Sequence, residues 1–287
     1  MTSEERIAAA LKVATDTKAF ELGEGILGRV PALFNEYFPG RKAVLVADRN
    51  TWRVAGAEVF EALQAAGIPT QKFIFEEDEF HADWDHIEVL DKVLDDTGAV
   101  AVSVGSGTIN DLCKLTSHHH KQSYLTVPTA ASVDGYTSFG ASITYQNAKQ
   151  TFDCPAPVAV VADADVIADA PREMTAAGYA DLAAKVPAGA EWMIADVVGA
   201  EPIIPEAWHV LQDCLDELLS DPAGVAAGEP SAVAGLFEGL PCRGKGELRR
   251  VVVAGKVAEE DVPEARMQEC SYRIGAFAVG KVPVPSA

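Results

Sequence analysis

The sequence predicts an α/β protein: a Rossmann-like, doubly wound parallel sheet followed by an all-α C-terminal part. Three observations carry this. Through residues 1–160 short apolar runs alternate with helical stretches, the pattern of right-handed crossovers in a parallel sheet. From about Pro171 the β signal fades and helices dominate. The glycine-rich turn GSGTIND stands where a strand hands over to a helix.

Taken in order, MTSEERIAAALKVA has early acids and helical spacing, unlike a basic leader with an apolar run, so a cytoplasmic protein is expected. TDTKAFEL is a poor buried strand, and the GEGILG after it (Gly23–Gly28) matches the dinucleotide glycine pattern only in letters. Glu24 would place a negative charge inside any phosphate cradle there, so a turn and helix start is expected. KAVLVAD reads as a buried strand, VAGAEVFEALQAAG as a helix, KFIFEE as a strand and WDHIEVLDKVLDDTG as a helix. AVAVSVG and SYLTVPT are the next two strands, and the domain boundary is expected near VVADADVIADAP. Helices are then expected in PREMTAAGYADLAAKVPAGAEWMIADVVG, EAWHVLQDCLDELLS and PSAVAGLFEGL. Three parts result: residues 1–165, 166–240 and an atypical tail, 241–287.

With 287 residues, 48% of them hydrophobic, the chain is long enough for a large core or two parts sharing a cleft. Its formal net charge of -20 disfavours nucleic acid as a partner, and no apolar run is long enough for membrane insertion. An anion site must therefore be built locally from main-chain N–H groups, a helix terminus, a metal or a few lysines. The five scattered cysteines have no paired C-x-x-C spacing, so reduced thiols are expected.

GSGTIND (Gly105–Asp111) meets the requirement that GEGILG misses: it follows a strand and opens the helical stretch TINDLCKL. Gly105 and Gly107 would let a phosphate approach the backbone. An ordinary turn capped by Ser106 or Thr108 is equally compatible with these local features. VPTAASVDGYTS (Val127–Ser138) then gathers hydroxyls and Asp134 at the end of a strand, where an open α/β sheet has its crevice. A polar loop satisfying its own backbone remains the alternative.

Together GSGTIND, VPTAASVDGYTS and AGYADLAAK, in that order, resemble the glycerol-1-phosphate dehydrogenases of the dehydroquinate-synthase-like and iron-dependent alcohol dehydrogenase superfamily. The likeness runs from about residue 20 to about residue 240. It implies hydride exchange between NAD(H) or NADP(H) and dihydroxyacetone phosphate, a small phosphorylated three-carbon substrate, in a homodimer that uses a divalent metal (zinc, nickel or iron). By the same resemblance Asp48 would hold the adenosine ribose, and Gly105, Ser106, Gly107, Thr108, Ile109, Asn110 and Asp111 the diphosphate and its surroundings. Thr129, Ala130, Ala131, Ser132 and Ser138 would hold more of the cofactor. Asp134 and Asp181 would be the catalytic and substrate-binding pair, with Asp181 also a metal ligand. Lys185 is expected to form an i, i+4 ion pair with Asp181.

The family's two metal-binding histidines, one in an S-G-x-E-H-like motif and one followed by glycine, have no counterpart among His81, His86, His118, His119, His120 and His209. His118–His120 are expected at a solvated helix end and His209 on a helix surface. The change of character after Leu240 gives the expectation of an altered reading frame or a deleted segment, and of reduced or absent activity. Two further readings stay open: a nucleotide-binding homologue without catalysis, and a glycerol dehydrogenase or dehydroquinate-synthase-like enzyme.

Overall fold

The structure is a computed structural model that describes residues 2–77, 80–197, 199–200, 202–205, 208–209 and 212–240. The expectations for residues 241–287 lie outside the described residues. Six parallel strands form the sheet: β1 (Ala19–Gly23), β2 (Ala43–Asp48), β3 (Thr70–Phe75), β4 (Val100–Gly105), β5 (Leu125–Pro128) and, after a hairpin, β8 (Ala159–Asp163). Their order is β1-β8-β5-β4-β2-β3. From β2 the chain steps outward to β3, then returns to β4 on the other side of β2. The carboxyl ends of β2 and β4 therefore flank the topological switch point, where an open α/β sheet leaves a crevice.

Buried-strand sequences explain the centre of the sheet. β2, β4 and β8 are Val- and Ala-rich, and with β5 (LTVP) they are almost wholly buried. Ala43, Leu45 and Ala47 pack on Phe34 of α2 (Val30–Tyr37) and on Val59 and Leu63 of α4 (Ala57–Ala65). On the opposite face Val44 and Val46 meet α5 (Trp84–Thr97) and α6 (Gly107–His119) through Ile87, Leu90, Leu112 and Cys113. α5 stops at Gly98, whose left-handed φ of 59° provides its C-cap.

TDTKAFEL is a strand after all: β1 pairs with β8 over five residues at the edge of the sheet. Its half-buried pattern and Glu21, tied to Arg29, conceal it in the sequence. The polar segment after β5 also hides an antiparallel hairpin, β6 (Ala141–Tyr145) with β7 (Ala148–Phe152). Gln146 and Asn147 turn it with φ of 53° and 62°, the left-handed pair that a tight hairpin needs. The helix expected from Val54 begins earlier, at α3 (Arg49–Thr51), and passes through a π-helical turn (Trp52–Gly56) into α4.

After β8 come α7 (Ala164–Ala168), α8 (Arg172–Ala183), α9 (Lys185–Val197), a 3-10 turn (Gln212–Cys214), α10 (Leu215–Leu218), α11 (Pro222–Ala227) and α12 (Pro230–Gly239). Leu182, Leu215, Val233, Leu236 and Phe237 share one core with Val160 and Ala162 of β8. Each such side chain contributes about 1.5–3 kcal/mol on full burial, so α8, α10 and α12 are fixed to the sheet. At the amino end, Arg6 of α1 (Ser3–Val13) reaches across to Glu238 on α12 and to Glu217, 3.1 Å away. The Arg6 and Glu238 side chains are only 8% and 3% exposed.

Cys113, Cys154 and Cys214 are free and buried. Burial pushes the thiols of Cys113 and Cys154 up to about 12. Because the thiolate is the reactive form, iodoacetamide is expected to leave Cys113 and Cys154 unlabelled in the native protein and to label them in denaturant. Peptide mass mapping reads the difference, and native labelling at either position would contradict this packing.

Candidate nucleotide and substrate site

At the switch point the register of β4 and β5 places Gly105 opposite Pro128. The N–H of Thr129 donates to the Gly105 carbonyl at 3.2 Å, so the two following loops start side by side. Gly105 is required sterically: an added Cβ would meet Ile109 at 2.6 Å, because α6 folds directly over the strand end. Ser106 occupies the N-cap position of α6 but its side chain makes no capping bond. Its neighbours Gly107 and Thr108 are partly exposed, so the opening turn of a 13-residue helix presents main-chain N–H groups that no capping side chain takes.

Gly107 lies against the second loop; a Cβ there would meet Val133 at 2.8 Å. Val133 precedes Asp134, whose N–H donates to Asp181 Oδ2 on α8 at 2.8 Å. α8 can come this close because of Gly178, where a Cβ would lie 1.9 Å from the Ala131 carbonyl oxygen. Lys185, at the start of α9, contacts Asp134 Oδ2. Asp134 is thus a partner for Lys185 that the i, i+4 spacing to Asp181 did not predict. The structure brings the glycine turn, the 129–134 loop and Asp181 into one locality.

Other residues singled out in the sequence have structural partners. Asn110 is buried and accepts from the Tyr124 hydroxyl at 2.8 Å, while the Ile109 side chain is buried in the core beneath Gly105. Asp111 Oδ2 accepts from the Ser142 N–H at 3.0 Å, and its Oδ1 is 3.6 Å from the Lys114 ammonium. Burial pushes the Asp111 carboxyl up, while Lys114 and the Ser142 N–H pull the other way. Ala130 accepts from the Tyr136 hydroxyl at 2.7 Å; burial raises that phenol. Thr129 is buried, Ser132 is partly exposed, and the Ser138 hydroxyl donates to Gly135.

Asp48 stands at the carboxyl end of β2, across the crevice from Gly105. Its Oδ1 accepts from Asn50 and Thr51 N–H at 2.8 and 2.9 Å and caps α3. By contrast, GEGILG has its donors taken. Asp163, buried at the end of β8 beside Gly23, accepts from Gly25 N–H at 3.2 Å and Ile26 N–H at 2.7 Å. The expected turn and helix start is what forms, although a strand does precede it.

Sequence reasoning missed three residues, Asp163, Lys114 and Gly178, and the contact of Lys185 with Asp134. Two carried a signal. Gly178 lies three residues before Asp181 on one helix face, and Lys114 is a lysine on the buried face of α6. His119 and His120 lie 2.8 and 3.4 Å from Asp91 on α5, and His209 pairs with Asp213 at 2.6 Å. Among the described residues no group of three or more His, Cys, Asp or Glu side chains is placed to hold a metal ion. Among the described residues, Asp181 is joined by Asp134 and its Lys185 partner and not by the further ligands that a dication needs.

A family profile described as iron-containing alcohol dehydrogenase matches residues 21–171, just over half of the chain. A Bacillus velezensis protein named glycerol-1-phosphate dehydrogenase (NAD(P)+) is 33% identical over 201 residues, covering 69% of this chain and 51% of that protein. A Halalkalibacterium halodurans protein of the same name is 31% identical over 252 residues, covering 82% and 61%. The chain thus spans about half to three-fifths of the length of these curated relatives. Among solved structures, a glycerol dehydrogenase from Schizosaccharomyces pombe superimposes with a TM-score of 0.65 at 19% identity, covering 92% of this chain and 76% of that one. An iron-containing alcohol dehydrogenase from Thermotoga maritima gives 0.65 at 15% identity, covering 85% and 68%. These likenesses carry the same fold.

Proposed function

We propose that this chain, which belongs to the iron-containing alcohol dehydrogenase family, is an sn-glycerol-1-phosphate dehydrogenase that binds NAD(H) or NADP(H) at the first turn of α6. The observation that carries the reading is the uncapped α6 terminus at the switch point, joined through Val133 to the Asp134–Asp181 pair. The names of the relatives support the choice of substrate.

In this reading the N–H groups around Gly107 and Thr108 hold the diphosphate. The Asp48 carboxylate, held as a helix cap, accepts bonds from the adenosine ribose hydroxyls. NAD(P)H, when bound, supplies a hydride to C2 of dihydroxyacetone phosphate, and one proton added to the oxygen completes sn-glycerol 1-phosphate. Asp134 accepts hydrogen bonds from the substrate hydroxyls, with Lys185 fixing its carboxylate and Asp181 fixing its main chain. Residues 1–165 form the nucleotide half and 166–240 the substrate half of a cytoplasmic homodimer. The described residues do not complete a metal site, so no step is assigned to a metal.

The Lys185 contact with Asp134 and the incomplete metal-ligand set among the described residues favour a second reading, nucleotide binding without turnover. NADH oxidation with dihydroxyacetone phosphate, measured with and without Zn²⁺, Ni²⁺ or Fe²⁺, separates the two. Turnover supports the dehydrogenase. Binding of NADH by fluorescence without turnover under any condition leaves only the second reading, and absence of binding overturns both. Because Asp48 would repel a 2′-phosphate, NADH is expected to bind more tightly than NADPH; equal dissociation constants would refute that role.

A further inference from the structure

A polar seam joins α6 to the loop that carries Asp134 and Ser138. Lys114, two turns beyond Gly107, has its side chain fully buried. Its ammonium donates to three main-chain carbonyls of that loop: Gly135 at 2.8 Å, Ser138 at 3.0 Å and Gly140 at 3.1 Å. Asn110 adds a 3.4 Å bond to the Gly135 carbonyl, and Asp111 receives the N–H of Ser142. At its other end the loop is held by Asp181 and Lys185 through Asp134. Residues 134–142 are therefore strung between the nucleotide helix and the α8–α9 pair.

An apolar side chain would avoid the desolvation cost of the ammonium but would leave Asp111, 3.6 Å away, and three carbonyls without their cation. What the ammonium adds is position, because its three donors fix three carbonyls of one loop relative to one rigid helix. Those carbonyls follow Asp134 directly and bracket Ser138, the two residues that would touch ligands, and the helix is the one whose first turn would receive the diphosphate. We propose that Lys114 is a positioning residue: it ties residues 134–142 to α6 so that nucleotide at the first turn and the placement of Asp134 and Ser138 change together. The inference rests on the nucleotide reading given above.

Hydrogen exchange on the full chain, with and without NADH, tests it. In the wild type NADH is expected to slow exchange both at residues 107–110 and at residues 135–142. In Lys114→Met the protection at 107–110 persists, that at 135–142 is lost, and the dissociation constant rises at least fivefold. Glu238→Gln, destabilised at a remote ion pair, keeps the wild-type dissociation constant and so separates positioning from stability. Protection of 107–110 in the wild type without any at 135–142 overturns the coupling while leaving the nucleotide reading intact, as does a folded Lys114→Met whose dissociation constant stays within twofold. No protection at 107–110 overturns the nucleotide reading and the coupling with it. Should Lys114→Met fail to fold, the wild-type comparison alone decides.

Discussion

Replacing Gly178 by alanine is expected to destabilise the protein by about 2 kcal/mol net and to weaken NADH binding. Alanine in a helix interior is favoured over glycine by roughly 1 kcal/mol, so an unobstructed site would gain stability. At Gly178 the new methyl would meet the Ala131 carbonyl oxygen at 1.9 Å and its carbon at 2.7 Å. Backbone cannot rotate away as a side chain can, so α8 must move off the 129–132 loop, and overpacking of this kind costs about 3 kcal/mol. Gly235→Ala is the internal control, because it lies in α12 with nothing within 4 Å of the added Cβ. Urea unfolding should move the two variants in opposite directions. Equal or higher stability for Gly178→Ala would remove the close approach of α8 from this account.

Glu238→Gln should have a still larger effect on stability, about 3–5 kcal/mol, the range for removing one partner of a buried ion pair. Glu238 and Arg6 are both buried, and the pair joins the first helix to the last described one. Its partner raises the pKa of the Arg6 guanidinium, which stays charged throughout the accessible pH range. Loss of the carboxylate therefore takes its buried charged partner from a buried cation, while Glu217, the other acid beside it, is exposed. Thermal unfolding should fall by roughly 6 °C or more for a chain of this size. A change of under 2 °C would mean that water already reaches Arg6.

The comparison of sequence with structure follows physical lines. β2, β4 and β5 were legible because strands buried on both faces read as unbroken apolar runs. β1 was not: it lies at an edge, is half exposed and carries Glu21. The β6–β7 hairpin was hidden because AKQTF is exposed and polar, and it is held by pairing with β6 and by Phe152 packing on Trp84 of α5. At the site, GSGTIND was legible because strand, glycine and helix are adjacent in the chain. The contacts that organise the surroundings are not adjacent: Lys185 and Asp134 are 51 residues apart, and Ile26 and Asp163 are 137 apart. No local pattern encodes such pairs, although the acid at the end of β8 and the lysine on α6 are each visible once the sheet order is known.

The carboxylate of Asp163 gives the first crossover a resident anion of its own. Its two bonds to Gly25 and Ile26 use donors that a diphosphate would need, and at 2% exposure the residue cannot swing aside into water. The glycine signature nearest the amino terminus thus works as an internal rivet between β1 at the edge of the sheet and its inner neighbour β8.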